Sequence, residues 1–162
     1  MIENAESAVV RWLKREDEAA WRRMWSDFVS IDIEPCPQEA TDFVWTSSLD
    51  DGNAMRMLIA ADAEDRAIGF LLYVTFAYSR TARPVCYLLD FYAEPKWRRK
   101  GVGLALIDRL RNVGTEHGWM KAFWMTQSDN HQAKRLYDQF GKQSTLVRYD
   151  MMLNPYLRGE PK

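Results

Sequence analysis

A basic segment with two glycines, Arg-Arg-Lys-Gly-Val-Gly, occupies positions 98–103. The apolar run at 85–93 predicts a strand before it, and the apolar spacing at 102–113 predicts a helix after it. A glycine-rich turn from a strand into a helix leaves backbone N–H groups free at the positive end of the helix, where phosphate oxygens bind. The segment therefore favours an α/β fold that holds a diphosphate-bearing ligand, although an ordinary basic surface turn fits these six residues equally well.

Two better-known phosphate-binding turns do not match this segment. No Gly-Lys-Ser or Gly-Lys-Thr follows, which excludes a P-loop. Leu106 stands where the dinucleotide-binding pattern has its third glycine, which disfavours that turn as well. The rest of the chain must therefore indicate which diphosphate compound binds.

The composition is that of a folded globular chain. It has 162 residues, 47% of them hydrophobic and 13% aromatic, which predicts a single domain over 1–162 with a substantial core. The formal net charge of −1 argues against a partner that is a nucleic acid. The two cysteines form no disulfide framework, the N-terminal residues lack the features of a signal peptide, and the longest apolar run, 68–78, is too short to span a bilayer. We therefore expect a cytoplasmic protein that binds no membrane, and the isolated His117 and His131 predict no metal site.

The apolar patterns predict the element order βααβββαβαβ, which is a mixed α/β fold with one central sheet and helices on both faces. Asp17 is a candidate cap for the first helix, and Asp129 with Gln132 resembles a capping box at the start of the last helix. The predicted strands are 9–13, 55–61, 67–78, 85–93, 121–126 and 145–153, and the predicted helices are 17–28, 39–49, 102–118 and 129–140.

Two motifs in this order resemble the GCN5-related N-acetyltransferase (GNAT) superfamily. Its signature Arg/Gln-x-x-Gly-x-Gly/Ala matches 98–103, and its preceding strand, which ends in a proline, matches 91–95. A second motif, an Asn followed by Ala, Leu-Tyr and an aromatic-Gly pair, matches 130–141. Within the superfamily, 123–133 is similar to the fungal histone and polyamine acetyltransferase subgroup. The strand before the turn also resembles that of diamine acetyltransferases, which carry a Glu where this chain has Leu89.

The resemblance implies a donor site for acetyl-CoA. The amides of the turn cradle the pyrophosphate, Arg98 lies near it, and Asn130 contacts the pantetheine arm. Lys96 and Lys100 either meet the 3′-phosphate or remain solvated surface charges. The implied donor-binding residues are Phe91, Tyr92, Ala93, Arg98, Arg99, Lys100, Gly101, Val102, Gly103, Asn130 and Tyr137.

Four side chains are candidates for catalysis. Tyr137 is the implied general acid for the departing thiolate, although a core tyrosine fits its helical position too. Asp90, a carboxylate in an otherwise apolar strand, is a candidate base for the amine, and a structural hydrogen-bonding role fits it equally. Glu34 and Asp32, in the loop between the first two helices, are the other candidate bases. The N–H groups of 91–93 are candidates for polarising the thioester carbonyl.

The acceptor is predicted from charge. The segment from Met24 to Met55 contains seven acidic residues and no Lys or Arg. In the superfamily the first two helices form one wall of the acceptor cleft, so this charge predicts a cationic acceptor such as a polyamine, a basic peptide or an amino sugar. Solvated helix faces are the alternative for any single acidic residue.

Two further expectations concern assembly and turnover. The tryptophan-rich first helix and the last strand are predicted to form the interface of a homodimer. The replacement of the expected Glu by Leu89 leaves one alternative function open, a CoA-binding regulatory module without turnover.

Overall fold

The computed structural model describes residues 8–31, 36–151 and 153, so the candidate bases Asp32 and Glu34 lie outside the described residues. Single turns of 3-10 helix at Arg15–Asp17 and Pro95–Trp97 precede the first and third helices. Among the described helices, none is both long enough and apolar enough to cross a membrane. The strands are β1 (Val9–Trp12), β2 (Met55–Ala61), β3 (Ala67–Ala77), β4 (Pro84–Ala93) and β5 (Ala122–Phe123), and the helices are α1 (Glu18–Val29), α2 (Gln38–Leu49), α3 (Val102–Glu116) and α4 (His131–Tyr137).

The five strands form one sheet in their order along the chain. Neighbours from β1 to β4 are antiparallel, and β5 lies parallel to β4. The parallel pair requires a crossover connection, which α3 provides, whereas short loops join β2, β3 and β4. The structure confirms the predicted mixed sheet with helices on both faces.

Side chains alternate between two cores on opposite faces of the sheet, because successive residues of a strand point to opposite sides. In β2, Met57 and Ile59 belong to the core under α1 and α2. Leu58 and Ala60 belong to the core under α3. The continuous apolar run of this strand is therefore explained by burial on both faces.

The core under α1 and α2 is aromatic. The Trp21 ring lies with its centroid 5.3 Å from those of both Trp25 and Trp45. All three side chains are buried. The tryptophans of α1 are thus core residues and offer no surface for a second copy.

The predicted last strand, 145–153, does not form among the described residues. Residues 141–151 and 153 have no sheet partner. Alternation of apolar and charged residues shows only that a segment is compatible with a strand, which also needs a neighbour with free backbone groups. The large apolar side chains of this segment are 74–92% exposed, namely Leu146, Val147, Tyr149, Met151 and Leu153.

Both predicted helix caps are corrected by the structure. The Oδ1 atom of Asn130 accepts a hydrogen bond from the N–H of Ala133 at 3.1 Å, so Asn130 rather than Asp129 caps α4. The carboxylate of Asp17 does not cap α1. It accepts hydrogen bonds of 2.8 and 2.9 Å from the guanidinium of Arg11, which is a stronger, charge-assisted interaction.

Candidate functional site

The segment between β4 and α3 forms a tight turn. The N–H of Lys100 donates to the Trp97 carbonyl at 3.4 Å. Arg99 and Gly101 have positive φ angles of 62° and 86°. Nothing lies within 4 Å of a Cβ built on Gly101, so backbone conformation rather than lack of space favours glycine there. Residues in this conformation turn successive N–H groups toward one concave, anion-binding surface.

The first N–H groups of α3 are free within the described part of the chain. The first bond of the helix joins the N–H of Ala105 to the Gly101 carbonyl at 2.9 Å. The amides of Gly101, Val102 and Gly103 donate to no described residue. Three free donors at the positive end of a helix attract an anion, so the turn fits a phosphate group.

The cations of the turn have partners beside it. The Nε atom of Arg98 donates to the Ala93 carbonyl at 3.1 Å, and its guanidinium carbon lies 5.5 Å from the centre of the Tyr92 ring. The Lys100 ammonium lies 5.1 Å from the centre of the Trp97 ring. Arg98 therefore anchors the end of β4.

Within the described residues β4 and β5 pair only near the start of β4, and the edge of β4 beyond that pair is called the cleft. Pairing joins Cys86 to Ala122 and Tyr87 to Phe123, and the described residues contain no further pair between these strands. β4 continues to Ala93 without β5 beside it. One edge of β4 is thus available to an extended ligand that runs toward the phosphate turn.

A bulge in β4 determines where Asp90 lies. Tyr73 pairs with Leu88, and Leu72 pairs with Asp90, so Leu89 is an extra residue. Leu89 packs against the core under α1 and α2, and Leu72 belongs to that core. The half-buried Asp90 therefore shares the α1 and α2 face of the sheet.

Tyr137, the last residue of α4, packs against the opposite core, the one under α3. Its ring meets that of Trp124 edge to face, with centroids 5.2 Å apart. Its hydroxyl makes no hydrogen bond within the described residues. Burial raises the pKa of the Tyr137 phenol, which keeps the proton on the hydroxyl at neutral pH.

A cavity of about 1000 Å³ adjoins Tyr137. Its walls come from α3, β5, α4 and the segment after α4, and they include Trp124 and Leu146. The sequence contains no signal for the contact between Trp124 and Tyr137, because the two residues meet only when α4 docks on the sheet.

The acidic segment before β2 is partly neutralised. Asp42 lies 2.8 Å from Arg22, and Asp51 lies 2.8 Å from Arg56. The hydrogen bond from Arg22 lowers the pKa of Asp42. Both arginines stand just outside residues 24–55, which is why the charge of that segment alone overstated its negative potential.

Comparison with known proteins agrees with this geometry. Residues 12–141 match the model of the acetyltransferase (GNAT) family. The chain is 29% identical over 142 residues to D-amino-acid N-acetyltransferase HPA3 of Saccharomyces cerevisiae, a similarity that covers 87% of this chain and 88% of that protein.

Two solved structures illustrate the similarity of fold. The ribosomal-protein-alanine N-acetyltransferase from Brucella melitensis biovar Abortus 2308 has a TM-score of 0.73 and 20% identity, over 90% of this chain and 99% of that one. AAC(6′)-Iy, solved in complex with the bisubstrate analogue CoA-S-monomethyl-acetylneamine, has a TM-score of 0.74 and 19% identity, over 90% and 99% of the two chains. Because the family match spans most of the sequence and the fold agrees with it, this chain belongs to the GNAT family of acetyltransferases.

Proposed function

We propose that this acetyltransferase uses acetyl-CoA as its donor and transfers the acetyl group directly to the primary amine of a cationic acceptor. The observation that carries the donor half is the set of free amides at Gly101, Val102 and Gly103. They lie at one end of β4, whose open edge fits the extended arm that follows the diphosphate. The CoA-based analogue bound to AAC(6′)-Iy supports the same donor.

In the proposed reaction the amine nitrogen bonds to the thioester carbonyl carbon, the carbon–sulfur bond breaks, the amine loses a proton and the sulfur gains one. Tyr137 supplies the proton to the sulfur, since its hydroxyl is neutral and free of partners within the described residues. The N–H groups of Phe91 and Ala93, which point away from β3, polarise the carbonyl, whereas the N–H of Tyr92 faces β3 in the sheet. The Oδ1 atom of Asn130 is used in the cap of α4. Its side-chain NH2 group is the part that holds the pantetheine arm.

Asp90 is the proposed base for the amine, with Glu34 as the second candidate. An alkylammonium has a pKa of about 10.4, so removing its proton costs on the order of 4–5 kcal/mol at pH 7. Asp90 lies on the face of the sheet opposite to Tyr137. An acceptor that enters from the α1 and α2 side thus meets the base, while the thiol leaves toward the acid.

Carboxylates on the α1 and α2 side support a cationic acceptor. Asp90 occupies that face of β4, and so does Tyr92. Asp27, an exposed residue of α1, is close enough that its charge adds to the effect of burial in raising the pKa of the Tyr92 hydroxyl. Arg98 also lies beside the Tyr92 ring, and two carboxylates with one guanidinium leave an excess of negative charge near this face, which raises the local concentration of cations.

Release of CoA from acetyl-CoA tests the proposal directly. The purified chain is assayed with spermidine, a lysine-containing peptide, an amino sugar and the D and L forms of an uncharged amino acid. We expect turnover with one or more of the cationic amines, with a kcat/KM that falls as salt is added. Turnover with amino acids alone contradicts the cationic acceptor, and no CoA release with any amine contradicts the whole proposal.

We also propose that the protein forms a homodimer through residues 146–151 and 153. A run of exposed large apolar side chains is unusual on a monomer and indicates an interaction surface. Light scattering is expected to give twice the mass of the chain, and Val147→Asp with Tyr149→Asp is expected to give the monomer. A monomeric native protein contradicts this proposal.

A further inference from the structure

Gly103 is confined between two side chains from different elements. A Cβ built at this position lies 3.0 Å from Cζ of Phe91 in β4 and 3.0 Å from Cδ2 of Leu136 in α4. Ordinary contacts of a Cβ are 3.4–4 Å, so a methyl group requires one or both neighbours to move by several tenths of an ångström. Gly101 differs, since nothing lies within 4 Å of its built Cβ.

The two neighbours of Gly103 lead to different parts of the site. Phe91 belongs to the strand that borders the cleft. Leu136 directly precedes Tyr137 in α4, which is only seven residues long. The atom of Leu136 that meets the built Cβ is the end of its side chain, and Leu136 is the chain neighbour of Tyr137, so any shift of the Leu136 backbone is passed on to the Tyr137 ring.

We propose that Gly103 is a positioning residue, whose missing side chain sets the distance between α3 and α4 and thereby places the Tyr137 hydroxyl over the cleft. This inference rests on the proposed role of Tyr137 as the acid. The N–H of residue 103 survives replacement by alanine, so phosphate binding is expected to persist. Misplacement of a reacting group by about 1 Å can cost roughly 100-fold in rate, and a smaller shift is expected to cost about 10-fold.

The test compares Gly103→Ala with Leu104→Ala, a substitution in the same turn of α3 at a side chain that is 45% exposed. We expect Gly103→Ala to lower kcat by about 10-fold with the KM for acetyl-CoA within about twofold of the native value. Leu104→Ala is expected to change neither. An unchanged kcat in Gly103→Ala, or a loss confined to the KM for acetyl-CoA, overturns the inference.

Second-site variants distinguish the two neighbours. Leu136→Val shortens the side chain that meets the new methyl group, so Gly103→Ala with Leu136→Val is expected to recover most of kcat. Recovery by Phe91→Leu instead shows that the effect passes through β4 and overturns the inference. If Gly103→Ala does not fold, the pair with Leu136→Val takes its place, and failure of that pair to fold counts against the inference. If the native enzyme transfers the acetyl group to no amine, the proposed function is refuted. That result is obtained before any variant is made.

Discussion

Replacing Tyr137 by phenylalanine removes one oxygen atom and leaves the packing of the ring on Trp124 in place. The hydroxyl makes no hydrogen bond within the described residues, so no internal bond is lost. The free energy of unfolding is therefore expected to change by no more than about 0.5 kcal/mol. The binding of acetyl-CoA is expected to be nearly unchanged, because the free amides of Gly101, Val102 and Gly103 do not depend on the Tyr137 hydroxyl.

The effect on turnover is expected to be much larger. Proton transfer by a positioned acid typically contributes between about 100-fold and 10,000-fold, which corresponds to about 2.7–5.4 kcal/mol of the activation barrier. We expect Tyr137→Phe to lower kcat and kcat/KM within this range. Tyr149→Phe is the control, since that ring is 92% exposed and outside the cleft.

The assay is steady-state CoA release at saturating acceptor, with urea unfolding of each variant in parallel. Burial raises the pKa of Tyr137, so the acid form persists above the ordinary tyrosine pKa of about 10. Native kcat is therefore expected to show no loss from tyrosine ionisation up to about pH 10. A kcat of Tyr137→Phe equal to that of the native enzyme refutes the assignment of Tyr137 as the acid.

Three further predictions concern the turn, the thiols and an ion pair. Gly101→Ala is expected to lower the free energy of unfolding in urea by about 1–2 kcal/mol. Gly101→Asn is expected to lower it by less, because asparagine tolerates a positive φ. Equal losses in the two variants contradict the argument from backbone conformation. Burial raises the pKa of Cys86 to about 12. A thiol reagent at pH 8 is therefore expected to modify Cys36 in the native protein and both cysteines in urea. Rapid modification of Cys86 in the native protein contradicts its burial. Asp17→Ala leaves the Arg11 guanidinium without its best partner. The free energy of unfolding is expected to fall by about 3 kcal/mol in the same assay. A fall of less than about 1 kcal/mol contradicts this expectation and shows that Asp65 compensates.

The order of elements up to α4 followed from the sequence, because each element carries a local pattern. Strand 55–61 matches β2, and the helix that starts at Val102 matches α3. Local patterns could not decide the last strand, because 145–153 has the alternation of a strand but no described neighbour to pair with. The predicted cap at Asp17 was wrong for a similar reason. Its carboxylate binds Arg11, and the sequence does not place Arg11 beside it.

The sequence by itself determined the turn that is proposed to bind the donor. A strand, a basic glycine turn and a helix are contiguous, so the free amides of Gly101 to Gly103 follow from local chain geometry. Only the tertiary structure decided the faces on which the chemical groups lie. A one-residue bulge places Asp90 on the α1 and α2 side, and the docking of α4 places Tyr137 on the other. It also showed that Arg22 and Arg56 neutralise part of the acidic segment. These properties depend on contacts between residues far apart in the chain, and the periodicity of a single segment contains no information about them.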